Sequence, residues 1–393
     1  MKIHRVLAEA CVSILREVFR NHRVLDRELA AAFEANRKWG KRDRSFIAET
    51  VFEVTRWRRL LAALAGCDEI RALCAAQWVR MEFEIPDWWK FGAASADEIL
   101  SRMEAMADLP FAIRESIPDW LDETGRAELG ERWEPEIEAL NRRAPVYLRV
   151  NRLRCEIEDA IGWLDGEGID AVPVDGVPDT LVLPSGKVLP KSLRNDGRVE
   201  IQDAGSQLIA PMLAPRPGER IIDACCGAGG KALQIASLIG NDGVIHALDV
   251  DARKLDELRH RARRARVSCI RTAPILDGTI KGFAGKADRL LLDVPCSGLG
   301  TMKRQPDLKW RLKPAELDRI RELQNSILAT YPEMLKPGGT LVYATCSILP
   351  SENAGAVRKR IDEGGFTLVD EKVISPAGLG FDGFYAAVLV KDA

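Results

Sequence analysis

The second half of the chain alternates between short apolar runs and helical patterns, and this alternation constrains the fold more than any other feature. The helical patterns cover 231–238, 254–266 and 314–335. The runs that we interpret as strands share an apolar centre and a turn residue at their end: 220–225, 244–249, 287–294, 339–346, 367–369 and 384–390. Alternating strands and helices predict an α/β fold with a doubly wound parallel sheet, and the last two runs predict an antiparallel finish.

Upstream of this region the sequence predicts two smaller parts. From 6 to 64, apolar residues recur at three- and four-residue steps, which is typical of amphipathic helices. From 146 to 190, a strand, a helix and several short strands broken by Asp, Gly and Pro predict a small α+β module. We therefore expect a helical domain over 1–135, an α+β module over 140–198 and the α/β domain over 199–393.

Length, charge and cysteine content narrow the class of protein. A chain of 393 residues exceeds the size of one hydrophobic core, and its net charge of −2 places any nucleic-acid surface in a local patch. The nine cysteines include no Cys-x-x-Cys pair, so we expect a reducing compartment and no metal site. There is no apolar run of about 18 residues and no signal-peptide pattern at the start. We expect a cytoplasmic monomer with no membrane association.

Two cysteines follow predicted strands and point to chemistry. Cys296 lies in DVPCSG at 293–298, and Cys346 lies in TCS at 345–347. Because ligands of parallel sheets bind beyond the carboxyl ends of the strands, both can face one pocket. Taken singly, each is as readily a small buried hydrophobe, the commonest fate of a free cysteine. Together, with polar neighbours that include Asp293, they favour a covalent mechanism on a nucleobase.

A glycine-rich turn follows the 220–225 run and predicts a cofactor loop. Its spacing is neither G-x-G-x-x-G nor G-x-x-x-x-G-K-[ST], since Ala232 replaces the metal-binding hydroxyl, so a phosphate cradle is disfavoured. Asp249 ends the next run, where a carboxylate can accept both hydroxyls of a ribose, and Asp277 could contact an adenine amino group. A ribose without a phosphate cradle indicates S-adenosylmethionine, although each aspartate could also be an ordinary turn residue. The loop residues assigned to the cofactor are Cys225, Cys226, Gly227, Ala228, Gly229, Gly230 and Lys231.

These motifs resemble those of the RsmB/Sun family of RNA (cytosine-5) methyltransferases, which includes the NSUN enzymes. The family signature D-A-P-C-S-G-x-G-x-x-R-R-x-P-D-x-K-W appears as DVPCSGLGTMKRQPDLKW at 293–310. Y-S-T-C-S followed by Glu-Asn appears as YATCS at 343–347 with Glu352 and Asn353. Further matches are QDAGS at 202–206 and DGF at 382–384. The loop C-A-A-P-G-G-K-T departs here, as CCGAGGKA at 225–232 without the proline and the threonine.

The resemblance implies a Rossmann-like class I methyltransferase sheet, a NusB-like N-terminal helical domain and an RRM-like α+β module. It implies that Cys346 adds to carbon 6 of cytosine, that Cys296 serves the release step, and that Asp293 assists at N3 and contacts the cofactor. DNA cytosine methyltransferases instead attack with the cysteine of the Pro-Cys motif, so the presence of both cysteines favours RNA. Lys231 is a candidate for lowering the pKa of the attacking thiol, and equally an ordinary loop lysine.

The RNA target stays open between small-subunit ribosomal RNA, which the helical domain favours, and transfer RNA. Two further hypotheses are a catalytically silent RNA-binding assembly factor and, more weakly, a nicotinamide dehydrogenase, which the missing dinucleotide fingerprint disfavours. Basic residues could hold phosphates or form solvated helix faces. They are Lys38, Lys41, Arg42, Arg44, Arg56, Arg58 and Arg59 in the helical region, and Arg259, Arg261, Arg263, Arg264, Arg266, Lys303 and Arg304 further along.

Overall fold

A computed structural model describes residues 3–92, 94–184 and 189–393. The α-helices are α1 Arg5–Arg20, α2 Leu25–Ala35, α3 Lys41–Arg56, α4 Arg58–Ala65, α5 Ile70–Arg80, α6 Ala96–Glu104, α7 Phe111–Arg114, α8 Asp119–Leu129, α9 Trp133–Leu140, α10 Ile157–Gly166, α11 Lys191–Arg194, α12 Ala204–Gln207, α13 Ile209–Met212, α14 Gly230–Leu238, α15 Ala252–Arg264, α16 Thr279–Gly282, α17 Leu308–Arg311, α18 Pro314–Thr330, α19 Ala354–Asp362 and α20 Pro376–Leu379. Within the described ranges, no helix combines the length and the apolar composition that crossing a bilayer requires.

The strands and the short 3₁₀ turns complete the list of elements. The strands are β1 Val146–Val150, β2 Val172–Pro173, β3 Thr180–Leu183, β4 Val199–Ile201, β5 Arg220–Ala224, β6 Val244–Asp249, β7 Ile270–Pro274, β8 Ala287–Asp293, β9 Leu335–Thr345, β10 Phe366–Ile374 and β11 Phe384–Lys391. The 3₁₀ turns are Met106–Asp108, Gly130–Arg132, Leu299–Thr301, Tyr331–Met334 and Pro350–Glu352.

The chain forms two compact units, and the first is helical. It contains the described residues up to Arg142 together with Met302–Pro314. The apolar faces that the three- and four-residue spacing predicts pack together, with Leu15 of α1, Ile47 of α3 and Leu73 of α5 fully buried. The predicted N-terminal helical domain is therefore confirmed as a packed helical core.

The segment Met302–Pro314 is the second half of the signature around Cys296, and it packs inside the helical unit. The ammonium of Lys309 is buried and donates to the carbonyl of Arg56 at 2.8 Å, while Trp310 Nε1 donates to the carbonyl of Thr55 at 2.6 Å. Arg56 is also buried and donates to the carbonyl of Lys303, whose own side chain is only 4% exposed. Arg56 and Lys303, two of the basic residues considered for phosphate binding, thus contribute to the helical core.

The second unit, Arg143–Thr301 with Ala315–Ala393, contains two sheets. The smaller has the strand order β2-β3-β1-β4, with α10 between β1 and β2 and α11 between β3 and β4. Its paired strands are antiparallel. This β-α-β-β-α-β order is the ferredoxin-like topology, which confirms the predicted RRM-like module.

The larger sheet has the order β10-β11-β9-β8-β5-β6-β7. Strands β9, β8, β5, β6 and β7 are mutually parallel, and β10 and β11 add an antiparallel edge, as the sequence predicted. Apolar side chains of the central strands, such as Ile221, Leu291 and Val342, are fully buried between the flanking helices. The strand order reverses between β5 and β8, and in open parallel sheets ligands bind at such a switch point.

Two sequence expectations need correction. The boundary predicted between 198 and 199 would exclude β4, Val199–Ile201, from the α+β module, but β4 pairs with β1 in the smaller sheet. The helical pattern predicted over 314–335 ends at Thr330, because Pro332 has no N–H to continue the hydrogen-bond ladder, and a 3₁₀ turn leads into β9 at Leu335. Within this helix Leu323 is 47% exposed whereas the polar Gln324 is fully buried, so apolar residue type alone does not mark its buried face.

Candidate functional site

The two cysteines lie together at the switch point. Strands β8 and β9 are parallel neighbours with Asp293 opposite Ala344, so the turns that follow them leave the sheet side by side. The Sγ atoms of Cys296 and Cys346 are 3.3 Å apart, and both side chains are half-buried. This confirms the prediction that the two cysteines share one rim of the sheet.

The turn after Cys296 is held against the turn after Cys346 by a close backbone approach. Gly300 N donates to the carbonyl of Cys346 at 2.9 Å, and the Gly300 carbonyl accepts from Gly383 N at 2.8 Å. A Cβ on Gly300 would lie 2.1 Å from the Gly383 oxygen, so only glycine fits at this position. The DGF segment at 382–384 therefore packs against the turn that follows Cys296.

The surroundings of Cys296 shift the pKa of its thiol. The pKa of Cys296 lies well above its usual value, mainly because its thiol is hydrogen-bonded to Cys346, and further because it is buried. Cys296 therefore stays protonated in the free protein. A protonated thiol is a weak nucleophile, so Cys296 in this state is not suited to attack an electrophile.

Lys231 and Asp293 form the polar wall beside the cysteines. Lys231 Nζ lies 2.6 Å from Asp293 Oδ2, and Lys231 is only 7% exposed. Burial by itself would lower the pKa of Lys231, but the Asp293 carboxylate, together with Cys346 and Asp223, outweighs burial and raises it. Lys231 is thus a buried ammonium between the cofactor loop and the cysteines, where the sequence had offered an ordinary loop lysine as the alternative.

The glycine-rich loop joins β5 to α14, as predicted. Asp249, at the end of β6, accepts a hydrogen bond from Gly227 N at 2.8 Å through Oδ2 and one from Asp251 N at 2.8 Å through Oδ1. Two carbonyls of the loop accept hydrogen bonds from arginine side chains elsewhere in the chain. Arg261 donates to Ala228 O at 2.7 Å, and Arg149 donates to Gly230 O at 2.6 Å. Neighbouring arginines thus contact the backbone of a loop that lacks the family's proline.

The remaining loop residues and Asp277 are placed as follows. Cys226 is buried and Cys225 is half-buried, and burial raises the pKa of both thiols, so they stay protonated. Gly229 ends the turn and precedes α14. Asp277 is exposed in the turn that follows β7. Its neighbour Ile275 donates from its backbone N to the Asp249 carbonyl at 3.0 Å.

The arginine run of α15 divides between structural and exposed roles. Arg261 and Arg264 both donate to the buried carboxylate of Glu200, at 3.0 and 2.5 Å. Arg263 and Arg266 are exposed. Two of the five arginines therefore join α15 to β4 and are not simply a solvated face.

Asp223 is the residue that sequence reasoning left unassigned. It is 1% exposed, and within the described ranges neither of its carboxylate oxygens has a hydrogen-bond partner. Burial, followed by the charges of Asp293 and Asp249, raises its pKa from 3.8 to about 8, although Lys231 opposes the change. An acidic residue at the end of the first parallel strand was the available sequence signal.

The raised pKa of Asp223 predicts a pH dependence of stability that Asp223→Asn removes. Between about pH 4 and pH 8 the folded carboxyl holds a proton that the unfolded chain has released, so this group makes folding less favourable as pH rises. The free energy of unfolding of the variant, minus that of the wild type, should increase by at most about 1.4 kcal/mol per pH unit over this range. Urea denaturation at several pH values measures the difference. Parallel curves for the two proteins would contradict the assignment.

Comparisons with known proteins agree with this geometry. Residues 210–389 match the model of the family described as 16S rRNA methyltransferase RsmB/F, and 117–188 match the ferredoxin-like domain of RsmF/B-like methyltransferases. Ribosomal RNA small subunit methyltransferase B of Vibrio cholerae is 34% identical over 306 residues, which cover 74% of this chain and 68% of that protein. The chain belongs to the RsmB/F methyltransferase family.

Solved structures share the fold of this RsmB/F family member. The crystal structure of PH0851 aligns over 100% of both chains with a TM-score of 0.81 at 22% identity. NSun6 from Pyrococcus horikoshii, solved with SFG, aligns over 70% of this chain and 98% of its own with a TM-score of 0.64 at 21% identity. At these identities the likeness concerns the fold alone.

Proposed function

We propose that this RsmB/F family member transfers a methyl group from S-adenosylmethionine to carbon 5 of a cytosine in small-subunit ribosomal RNA, through a covalent bond between Cys346 and the base. The observation that carries the proposal is the 3.3 Å separation of the Cys346 and Cys296 sulfurs at the switch point of the sheet. A single nucleophile would need only one cysteine at this place. Two thiols within contact distance allow one to attack and the other to take part in release.

The residues around the loop fit S-adenosylmethionine. The buried carboxyl of Asp223 has no partner in the described part of the chain, which suits a ligand amino group, and a Cβ on Gly227 would meet nothing within 4 Å, so space is open above the loop. Asp249 and Asp277 are the residues that we assign to the ribose and the adenine. When bound, the cofactor supplies a methyl group made electrophilic by a sulfonium. The SFG reported with NSun6 from Pyrococcus horikoshii is consistent with this assignment.

The first step answers a chemical difficulty, because carbon 5 of cytosine is a poor nucleophile. The Cys346 sulfur forms a bond to carbon 6, and the electron pair of the 5,6 double bond moves toward N3 and makes carbon 5 nucleophilic. The developing charge needs a hydrogen-bond donor at N3. The Lys231 ammonium donates to Asp293 Oδ2 at 2.6 Å, and the two side chains form the polar wall that we assign to this task.

The release step removes the proton of carbon 5. We assign it to Cys296, whose sulfur lies 3.3 Å from that of Cys346 in the free protein. The Cys296 thiol first gives its own proton to water, and the resulting thiolate then accepts the carbon 5 proton. As the proton leaves carbon 5, its electron pair re-forms the 5,6 double bond and the bond from Cys346 to carbon 6 breaks. Cys346 departs as a thiolate and the methylated base is released.

The choice of ribosomal RNA rests on the relatives. The Vibrio cholerae protein is named for the small ribosomal subunit, and the matched family model carries the same substrate in its description. A flipped base is reached most cheaply in single-stranded or looped RNA. Transfer RNA is the second candidate substrate. The alternative function is a catalytically silent assembly factor that binds RNA without methylating it.

Methyl transfer from labelled S-adenosylmethionine separates these possibilities. We expect the purified protein to label deproteinised small-subunit RNA, nuclease digestion to release the label as 5-methylcytidine, and bisulfite sequencing to map it to one site. Equimolar transfer RNA, the matched substrate control, should acquire label at a rate at least about tenfold lower. Label confined to transfer RNA would contradict the proposed target. Folded protein that binds the cofactor and labels neither RNA would instead support the silent assembly factor.

A further inference from the structure

The two cysteine turns repeat the same sequence pattern, Cys-Ser-x-Leu, as CSGL at 296–299 and CSIL at 346–349. In each turn the serine hydroxyl accepts the backbone N–H of the leucine two residues later. The distances are 3.4 Å from Leu299 N to Ser297 Oγ and 3.1 Å from Leu349 N to Ser347 Oγ. The two turns are therefore built alike, and their hydroxyls lie 3.1 Å from each other.

One carboxylate, that of Glu352, joins both turns. Its Oε1 accepts from Ser297 N at 2.7 Å and from Gln324 Nε2 at 3.2 Å. Its Oε2 accepts from Ser297 Oγ at 2.5 Å and also from Ser347 Oγ. Glu352 is fully buried, and all four donors reach it inside the protein. A buried charged acceptor with four donors is a strong local restraint.

The backbone of Glu352 is itself anchored. Tyr343, a fully buried residue of β9, donates from its hydroxyl to the Glu352 carbonyl at 2.7 Å. The next residue, Asn353, donates from Nδ2 to the Ser347 carbonyl at 3.0 Å. Gln324 reaches the first turn as well, since its Nε2 lies 3.0 Å from the Pro295 carbonyl. Glu352 is thus attached to β9 through Tyr343 and to both cysteine turns.

We propose that Glu352 is a positioning residue that fixes the separation of the two catalytic sulfurs by bonding to the serine that follows each of them. This inference rests on the proposed function, because the spacing matters for attack by Cys346 and release by Cys296. The Glu352 carboxylate accepts hydrogen bonds from the two serines and Gln324, and its charge also contributes to the raised pKa of Cys296. Its positioning effect is transmitted through Ser297 and Ser347, and its loss leaves two buried hydroxyls without their common acceptor.

The separation of the sulfurs can be measured without RNA or cofactor. Diamide oxidises two nearby thiols to a disulfide: the two sulfurs lose their protons and two electrons, and the diazene is reduced to a hydrazine. We expect Glu352→Gln to slow formation of the Cys296–Cys346 disulfide by roughly tenfold to a hundredfold, the range for losing a charge-assisted hydrogen bond. Acid quenching, alkylation and peptide mapping by mass spectrometry give the rate.

The matched control is Glu363→Gln, the same change at an exposed glutamate that follows α19 and forms an ion pair with Arg360 at 3.6 Å. It should leave the disulfide rate unchanged. Ser347→Ala keeps the carboxylate and removes one donor, so it should slow the reaction by a smaller factor. In the Glu352→Gln background it should add little, because residues of one network are not additive. If Glu352→Gln does not fold, Ser347→Ala alone decides the outcome.

An unchanged disulfide rate in folded Glu352→Gln, or in Ser347→Ala, would overturn the proposal. In the active protein, Glu352→Gln should lower kcat while the KM for RNA and the Kd for S-adenosylmethionine stay within about twofold of the wild type. The two proposals fail separately. A slower disulfide in the variant of a protein that never methylates RNA would keep the positioning role and reject the proposed function, whereas methyl transfer with an unchanged disulfide rate would do the reverse.

Discussion

Replacing Cys346 by alanine is expected to abolish methyl transfer to RNA. Without the sulfur, no bond forms to carbon 6 and carbon 5 stays a poor nucleophile, so the rate should fall by about 10⁴-fold or more. Single-turnover assays with labelled S-adenosylmethionine measure the loss. Because Cys346 is half-buried and its deletion removes one sulfur, the free energy of unfolding should change by only about 1 kcal/mol.

The control for this variant is Cys155→Ala, the same chemical change at a half-buried cysteine next to the ferredoxin-like core. It should transfer methyl groups at the wild-type rate. Binding of RNA by Cys346→Ala should also be preserved, which separates loss of chemistry from loss of substrate. Methyl transfer by Cys346→Ala within tenfold of the wild type would reject the covalent mechanism.

Replacing Cys296 by alanine is expected to trap the protein on its RNA. The bond from Cys346 to carbon 6 still forms and the methyl group is still transferred, but the carbon 5 proton has no base to accept it. Turnover should fall by about 10²- to 10⁴-fold, the usual contribution of a positioned base. A protein–RNA adduct that survives denaturing electrophoresis should accumulate up to one per protein, and only when S-adenosylmethionine is present.

The raised pKa of Cys296 gives a physical reason why this residue can be a protonated thiol before attack and a base in the release step. Its pKa is raised mainly by the hydrogen bond to Cys346. Once the Cys346 sulfur is bonded to carbon 6 it is no longer a thiol, so we expect this cause of the raised pKa of Cys296 to weaken. The Cys296 thiol can then release its proton to water, and the resulting thiolate can accept the carbon 5 proton after methyl transfer.

The double variant Cys296→Ala/Cys346→Ala tests the origin of the adduct. It should form none, because the adduct requires the Cys346 sulfur. Normal turnover by Cys296→Ala would show that another group removes the carbon 5 proton. The adjacent Asp293 carboxyl would then be the first residue to replace.

Six of the seven strands of the larger sheet could be predicted from the sequence because each contains a separate apolar run bounded by turn residues. The seventh, β7, contains Arg271 and Thr272 and does not form such a run. The run that ends in Asp293 and the run that ends near Cys346 are both central parallel strands, and the pattern requires burial on both faces. The prediction from hydrophobic spacing was wrong at the end of α18. The apolar spacing continues to 335, but the helix ends before Pro332. There the backbone chemistry of one residue overrode hydrophobic periodicity.

The site was only partly predictable. The sequence drew attention to Glu352 as a motif residue but gave no role to it, although the repeated Cys-Ser-x-Leu pattern was a visible signal that the two turns are alike. The burial of Lys309 had no sequence signal of its own, and the signal for the buried carboxyl of Asp223 was no more than an acidic residue near the end of the first parallel strand. Charged residue types are usually exposed, so burial of a charge is a property of the surrounding packing.

By itself the sequence determined which residues end the parallel strands, and therefore that Cys296, Cys346, Asp249 and the glycine-rich loop belong to one edge of one sheet. This follows from local rules, since strand period and turn residues act over a few neighbours. Only the tertiary structure decided the 3.3 Å between the sulfurs, the Lys231–Asp293 ion pair and the carboxylate of Glu352 that joins the two turns. Distances of this kind depend on how separate segments pack, and contacts between residues far apart in the chain leave no local pattern.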